Sequence, residues 1–102
     1  MTLFLTFILF FLETLLIKAG LSSKIDDSGQ TVGKRYARTD ECGIPFAFTV
    51  DFDTLEDNTV TMRELHTMKQ IRLPIKDTPR ILQRLSNSLV KWEDVLKQYP
   101  NV

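Results

Sequence analysis

Cysteine and histidine are almost missing from this 102-residue chain: Cys42 and His66 are the only ones. One cysteine allows no internal disulfide and no multi-cysteine metal site, and it is compatible with a reducing compartment. One histidine leaves no His pair or His-rich metal site. His66 has no catalytic partner at a recognisable spacing and reads as a surface residue. The four glycines do not form a phosphate-cradling loop, because Ser28-Gly29-Gln30-Thr31-Val32-Gly33 lacks the required spacing. Net charge is also absent, with thirteen basic residues against thirteen acidic. Nucleic-acid binding would therefore need a local basic patch rather than an overall field. There are no internal repeats and no low-complexity linker.

What remains is ordinary globular composition, 43% hydrophobic and 25% charged, in a length that suits one small domain. The ends differ. Residues 3–12 are almost wholly apolar, Glu13 interrupts, and Thr14 to Ile17 return to apolar character before Lys18. Three readings stand for this run: a signal peptide, a membrane segment, or the bland one, which is a buried strand or helix of an α/β domain or a sequence that was never part of the fold. A signal peptide would need a basic n-region, yet the amino terminus is the only positive charge ahead of the run. A spanning helix needs about 20 apolar residues. The absence of arginine from this N-terminal segment also argues against a mitochondrial presequence. The chain accordingly divides into residues 1–12, an apolar segment of unclear origin, and residues 13–102, the domain proper.

Within 13–102 the pattern predicts a helix over Glu13 to Ala19 ended by Gly20, then a strand over Leu21 to Asp26. Asp27-Ser28-Gly29-Gln30 has turn chemistry, and Val32 to Cys42 reads as a helix ended by Gly43. Ile44, Phe46, Phe48, Val50 and Phe52 alternate as the apolar face of a strand, opposite Pro45, Ala47, Thr49 and Asp51. A polar loop follows at residues 53–58. A second, antiparallel strand covers Thr59 to Leu65, and an extended segment covers Gln70 to Ile75, with Pro74 suggesting an edge. Asp77 and Pro79 open a helix with the stripe Ile81, Leu82, Leu85 and Leu89. Trp92, Val95, Leu96 and Tyr99 line the last helix, which Pro100 stops.

Lys34, Arg35 and Arg38, at i, i+1 and i+4, share one face of the expected helix. Such a face can hold phosphates through charge-assisted hydrogen bonds, or it can be a solvated surface balanced by Asp40 and Glu41. Asp26-Asp27 is no carboxylate dyad, since strand neighbours point to opposite faces. Tyr36 reads as packing inward against Val32, and Cys42 as a helix-end residue.

Several ordered motifs resemble the C-terminal anticodon-binding domain of eukaryotic-type glycyl-tRNA synthetases. They are Lys24-Ile25-Asp26-Asp27-Ser28, Val32-Gly33-Lys34-Arg35-Tyr36-Ala37-Arg38-Thr39-Asp40-Glu41, Gly43-Ile44-Pro45-Phe46, Thr49-Val50-Asp51-Phe52-Asp53-Thr54, Thr59-Val60-Thr61-Met62-Arg63-Glu64 and Met68-Lys69-Gln70-Ile71-Arg72. The ending Val90-Lys91-Trp92-Glu93-Asp94-Val95 with Tyr99-Pro100 is similar too. The resemblance implies an α/β fold, a three-layer anticodon-binding domain of the class II synthetases with a five-stranded mixed sheet. The family's first strand and much of its first helix would precede residue 13, so the domain is expected to be incomplete at that end. The sequence departs from the family at Leu65-His66, where a charged Arg-Asp pair is usual.

The function so implied is tRNA anticodon binding, with glycine tRNA as partner. Candidate contacts are Lys34, Arg35 and Arg38 for phosphates, and Asp51, Asp53, Arg63 and Glu64 for base edges, because unstacked anticodon bases are read at their edges. Phe46, Phe48 and Phe52 read as core rather than as a stacking platform. The whole synthetase joins glycine to its tRNA with ATP. None of its catalytic motifs can be placed here, so no catalytic residue, cofactor or metal is expected in this chain, and no aminoacylation by it alone. A copy of itself or a full-length synthetase are further expected partners, a membrane a less favoured one, and the cytoplasm the expected compartment. The alternatives are a protein-interaction or regulatory paralogue, and a fragment of an incomplete gene product.

Overall fold

The computed structural model describes the backbone at residues 2–21, 24–31, 34–41 and 44–102, and the side chains at 4–21 and 45–102. The elements run α1 (Thr2–Lys18), β1 (Lys24–Thr31), β2 (Lys34–Glu41), β3 (Ile44–Asp51), α2 (Phe52–Asp57), β4 (Thr59–Glu64) and β5 (Gln70–Pro74). A 3-10 turn at Ile75–Asp77 leads into α3 (Thr78–Ser86) and then α4 (Trp92–Gln98). The strands form one sheet in the order β1-β2-β3-β4-β5, each pair antiparallel. The connections explain this: a parallel crossover needs a dozen or more residues, and no link between successive strands here is that long. The expected α/β class is that of the molecule, but the expected mixed sheet is corrected: all four pairings are antiparallel and the sheet is a meander.

Alternation in the last three strands separates the sheet's two faces. Phe46, Phe48 and Val50 of β3, Val60 and Met62 of β4, and Ile71 and Leu73 of β5 are completely buried. Their neighbours Ala47, Thr49, Asp51, Thr61, Arg63, Gln70 and Arg72 are only half-buried. One core joins the buried strand residues to Leu5, Leu9, Leu12 and Leu16 of α1, Ile81 and Leu82 of α3, and Trp92 and Val95 of α4. The Trp92 ring meets Phe46 edge-on, with centroids 5.4 Å apart. All three long helices thus cover the apolar face.

The apolar run of residues 3–12 and the predicted helix at 13–19 are one helix, α1. Its buried leucines 5, 9, 12 and 16 recur at i, i+4, i+7 and i+11, the spacing of a helix face laid on a sheet. Gly20 ends it at φ +80°, a left-handed conformation that suits glycine. Its N–H donates to the Ile17 carbonyl at 2.9 Å and that of Leu21 to the Leu16 carbonyl at 2.9 Å, closing the last turn. Gln83 Nε2 then donates to the Ala19 carbonyl at 2.8 Å and ties this corner to α3.

Several expectations need correction. Residues 34–41, expected within a helix, are strand β2, because pairing with both β1 and β3 overrides the helix propensity of Lys, Arg, Ala and Glu. The expected strand at 21–26 lies further on, at Lys24–Thr31, and absorbs the expected turn at 27–30. The polar loop at 53–58 is largely helix α2. Asp51 caps it by accepting from the Thr54 N–H at 3.3 Å, while Thr54 Oγ1 accepts from the Asp51 N–H at 3.1 Å. Phe52 leaves the strand's alternation at this point and is exposed. Leu89 lies beyond α3 and is exposed rather than part of its stripe. The expected inward packing of Tyr36 and the placing of Cys42 lie outside the described residues.

The far edge of the sheet is partly covered by the chain's last residues. Ile71 bridges to Asn101, and the Arg72 N–H donates to the Pro100 carbonyl at 2.9 Å. Tyr99 fixes the approach by donating its hydroxyl to Asp77 at 3.0 Å. Replacing Leu9, 2% exposed beneath the sheet, by alanine is expected to lower the unfolding free energy by about 2–5 kcal/mol. Urea denaturation checks this, and a loss below about 0.5 kcal/mol would remove α1 from the core.

Candidate nucleic-acid interface

The half-buried face of the sheet is concave. A recess of about 370 Å³ is lined by Ala47, Thr49, Asp51, Thr61, Arg63, Leu65 and Gln70. Strand register sets these residues in rows, since directly paired residues lie side by side across a sheet. Ala47 pairs with Arg63 and Arg63 with Gln70. Thr49 pairs with Thr61 and Thr61 with Arg72. β2 extends the rows, with Arg38 paired to Ala47, Tyr36 to Thr49 and Lys34 to Asp51, whereas Arg35 pairs with the core residue Val50. The three cations expected on one helix face are therefore divided by the strand: 34 and 38 fall in register with the open face, and 35 with the core. Their side chains lie outside the described residues.

Arg63 sits in the middle of the recess. Among the described residues its side chain makes one hydrogen bond, from Nε to Gln70 Oε1 at 3.0 Å. That bond fixes the guanidinium plane and leaves both terminal nitrogens for another acceptor. The row Arg63–Gln70 thus offers donors and an amide at the scale of a base edge.

Asp51 is engaged locally. Besides capping α2, its two oxygens accept from Arg72 Nη2 at 3.1 Å and Nη1 at 3.2 Å. Arg72 also donates from Nε to Thr59 Oγ1 at 2.7 Å and from Nη2 to the Thr59 carbonyl at 3.2 Å. The pair therefore joins the end of β3 to the starts of α2 and β4 and to the middle of β5. Partial burial pushes the Asp51 carboxyl up, but the hydrogen bond and charge of Arg72 and the backbone N–H of Thr54 outweigh it, and the group lies below the usual carboxylate range. Asp53, in the first turn of α2, is exposed.

Glu64 points the other way. It is buried at 4% exposure, and its two oxygens accept the backbone N–H groups of His66 and Thr67 in the β4–β5 turn. Burial raises its pKa, those hydrogen bonds outweigh that by lowering it, and the net direction is down. Of the expected base-edge contacts, Asp51 and Arg63 therefore share the recess, Asp53 is exposed on α2 and does not line it, and Glu64 holds a turn. Leu65 lines the recess and His66 is exposed. Gln70 and Arg72 escaped sequence reasoning as site residues. Their alternation with Ile71 and Leu73 was the available signal.

Among the described residues, no group of three or more His, Cys, Asp or Glu side chains could hold a metal ion, and no helix is long and apolar enough to cross a membrane. Comparison with known proteins gives a match over residues 12–85 to the model of the anticodon binding domain. The chain is 54% identical over 86 residues to a glycine–tRNA ligase of Bombyx mori, covering 83% of this chain and 12% of that protein. It is 50% identical over 90 residues to one of Drosophila melanogaster, covering 87% of this chain and again 12% of the relative. An archaeal glycine–tRNA ligase, from Aeropyrum pernix, is 42% identical over 80 residues, 78% of this chain and 14% of its own length.

Arg72→Ala is expected to lower stability near neutral pH by about 1.5–3 kcal/mol, because a half-buried carboxylate loses a bidentate partner. Asp51 has a depressed folded-state pKa, so its contribution is complete above the unfolded value near about 4 and is lost as pH falls through the folded value. The gap between variant and parent should then shrink in acid. Urea titrations at about pH 7 and about pH 2.5 measure it, and an equal gap at both would exclude the ion pair as its source.

Proposed function

The chain belongs to the anticodon binding domain family, and on that premise we propose that the open face of its sheet binds the anticodon of a glycine tRNA. The observation that carries this reading is the polar recess around Arg63, on the one sheet face that the helices leave uncovered. Single-stranded bases need edges to hydrogen-bond and surfaces to stack on. Arg63 and Gln70 offer edge contacts, and Arg72, held by Asp51, keeps the neighbouring row in place. Lys34 and Arg38, at the same rows on β2, supply positive charge for the flanking phosphates.

The chain spans 12% of the length of the first two relatives it matches. In a glycine–tRNA ligase this unit would select the tRNA, while the ATP-dependent joining of glycine would fall to another domain. A second reading, a paralogue that serves protein contacts instead, is favoured by Leu65, an apolar side chain on the recess where the family usually has a charged residue.

Fluorescence polarisation against glycine tRNA and a non-cognate tRNA tests the two readings. The first expects cognate binding that weakens with salt, and a loss of about 1–3 kcal/mol, roughly 5- to 150-fold, in Arg63→Ala. Arg38→Ala should weaken both tRNAs alike and lower the salt slope by about one. Absence of cognate binding at low salt would leave the second reading.

A further inference from the structure

We propose that the outer face of α1 is a self-association surface, and that two copies of the chain pack their α1 helices antiparallel about a two-fold axis between residues 10 and 11. The helix is apolar on every side, and such a helix is normally buried on every side. Here only one side is. Phe4, Phe7, Phe10 and Phe11 are 60%, 62%, 52% and 55% exposed, and Ile17 is 56% exposed. The one charged residue between Phe4 and Ile17 is Glu13, which is half-buried and not among the exposed positions of the patch. Contiguous apolar surface of that kind marks an interaction site.

The choice of a second copy rests on symmetry and area. The exposed described positions of α1 are 4, 7, 10, 11, 14, 17 and, at its very end, Lys18. Reversed about the point between 10 and 11, the first six map onto themselves, and Lys18 falls at the end of the contact. Phe4 meets Ile17 of the other copy, Phe7 meets Thr14, and Phe10 meets Phe11. A two-fold interface requires this self-complementarity, because each patch must match its own reverse. Thr14 closes its own hydroxyl on the Phe10 carbonyl at 2.9 Å, so it brings no unsatisfied polar atom into the contact. The phenylalanines each offer on the order of 100 Å². With Ile17 the two faces together bury on the order of 1,000 Å², the threshold for a specific interface. A membrane is the weaker occupant, since no helix among the described residues is long and apolar enough to cross one. The open sheet face lies on the other side of the molecule from α1, so a dimer would carry two recesses pointing apart, and the proposal stands whether or not they bind tRNA.

Sedimentation velocity of the full chain is expected to give twice the chain mass, and Phe7→Glu or Phe10→Glu to halve it while the cooperative melt persists. Each change places two charges in the contact. Should those variants fail to fold, cross-linking keeps the test open. With Cys42→Ser as background, a short bis-maleimide should join a Phe7→Cys chain to a Thr14→Cys chain, and should join neither to itself. A monomer at tens of micromolar, self-linking of either cysteine variant, or a monomer that co-sediments with phosphatidylcholine vesicles would overturn the proposal.

Discussion

Seven strand side chains, from Phe46 on β3 to Leu73 on β5, must be kept dry on one side of one sheet, and everything else in the molecule is arranged around that demand. Each is worth about 1.5–3 kcal/mol buried, so the face cannot be left to water in a domain whose net stability is of the order of 5–15 kcal/mol. α1, α3 and α4 answer it together. Because they gather on one side, the opposite side is released from packing. Its residues can be small or polar, and that freedom is what makes a recess of threonines, arginine and glutamine tenable.

The two faces are not independent. The Asp51–Arg72 pair sits on the polar side but bonds together four elements that also build the core. Glu64 does the reverse, coming from the core side to organise the turn between β4 and β5. Both are carboxylates that sequence alone offers as base contacts, and both are occupied. Among the described residues, Arg63 keeps two terminal nitrogens without a partner, and it is the most available group for a ligand.

Sequence legibility followed the strength of the local period. β3, β4 and β5 could be read from strict alternation, and α3 and α4 from their apolar stripes and the prolines at their ends, because those signals are produced by neighbours in the chain; Asp77, expected to cap α3, makes no side-chain cap bond. β2 could not: Lys34 to Glu41 has helix-forming residues between two glycines, and its strand state depends on partners in β1 and β3. α1 was hidden for the opposite reason, since a helix apolar all round shows no face. α2 was written in a short capping pair, Asp51 and Thr54, easily mistaken for loop chemistry. For the site, Arg63 was legible on its strand. The assembly of Gln70 and Arg72 beside it was not, because register is a tertiary fact.

The order of elements along the chain has a consequence for biosynthesis. Ribosomes deliver α1 first, whereas the strands it covers, and Ile81 and Leu82 that flank it in the core, arrive tens of residues later. At about 5–20 residues per second, the helix waits on the order of several seconds with both its leucine and its phenylalanine sides uncovered. The meander, built from adjacent strands, can pair quickly once made. The vulnerable interval is therefore set by translation speed.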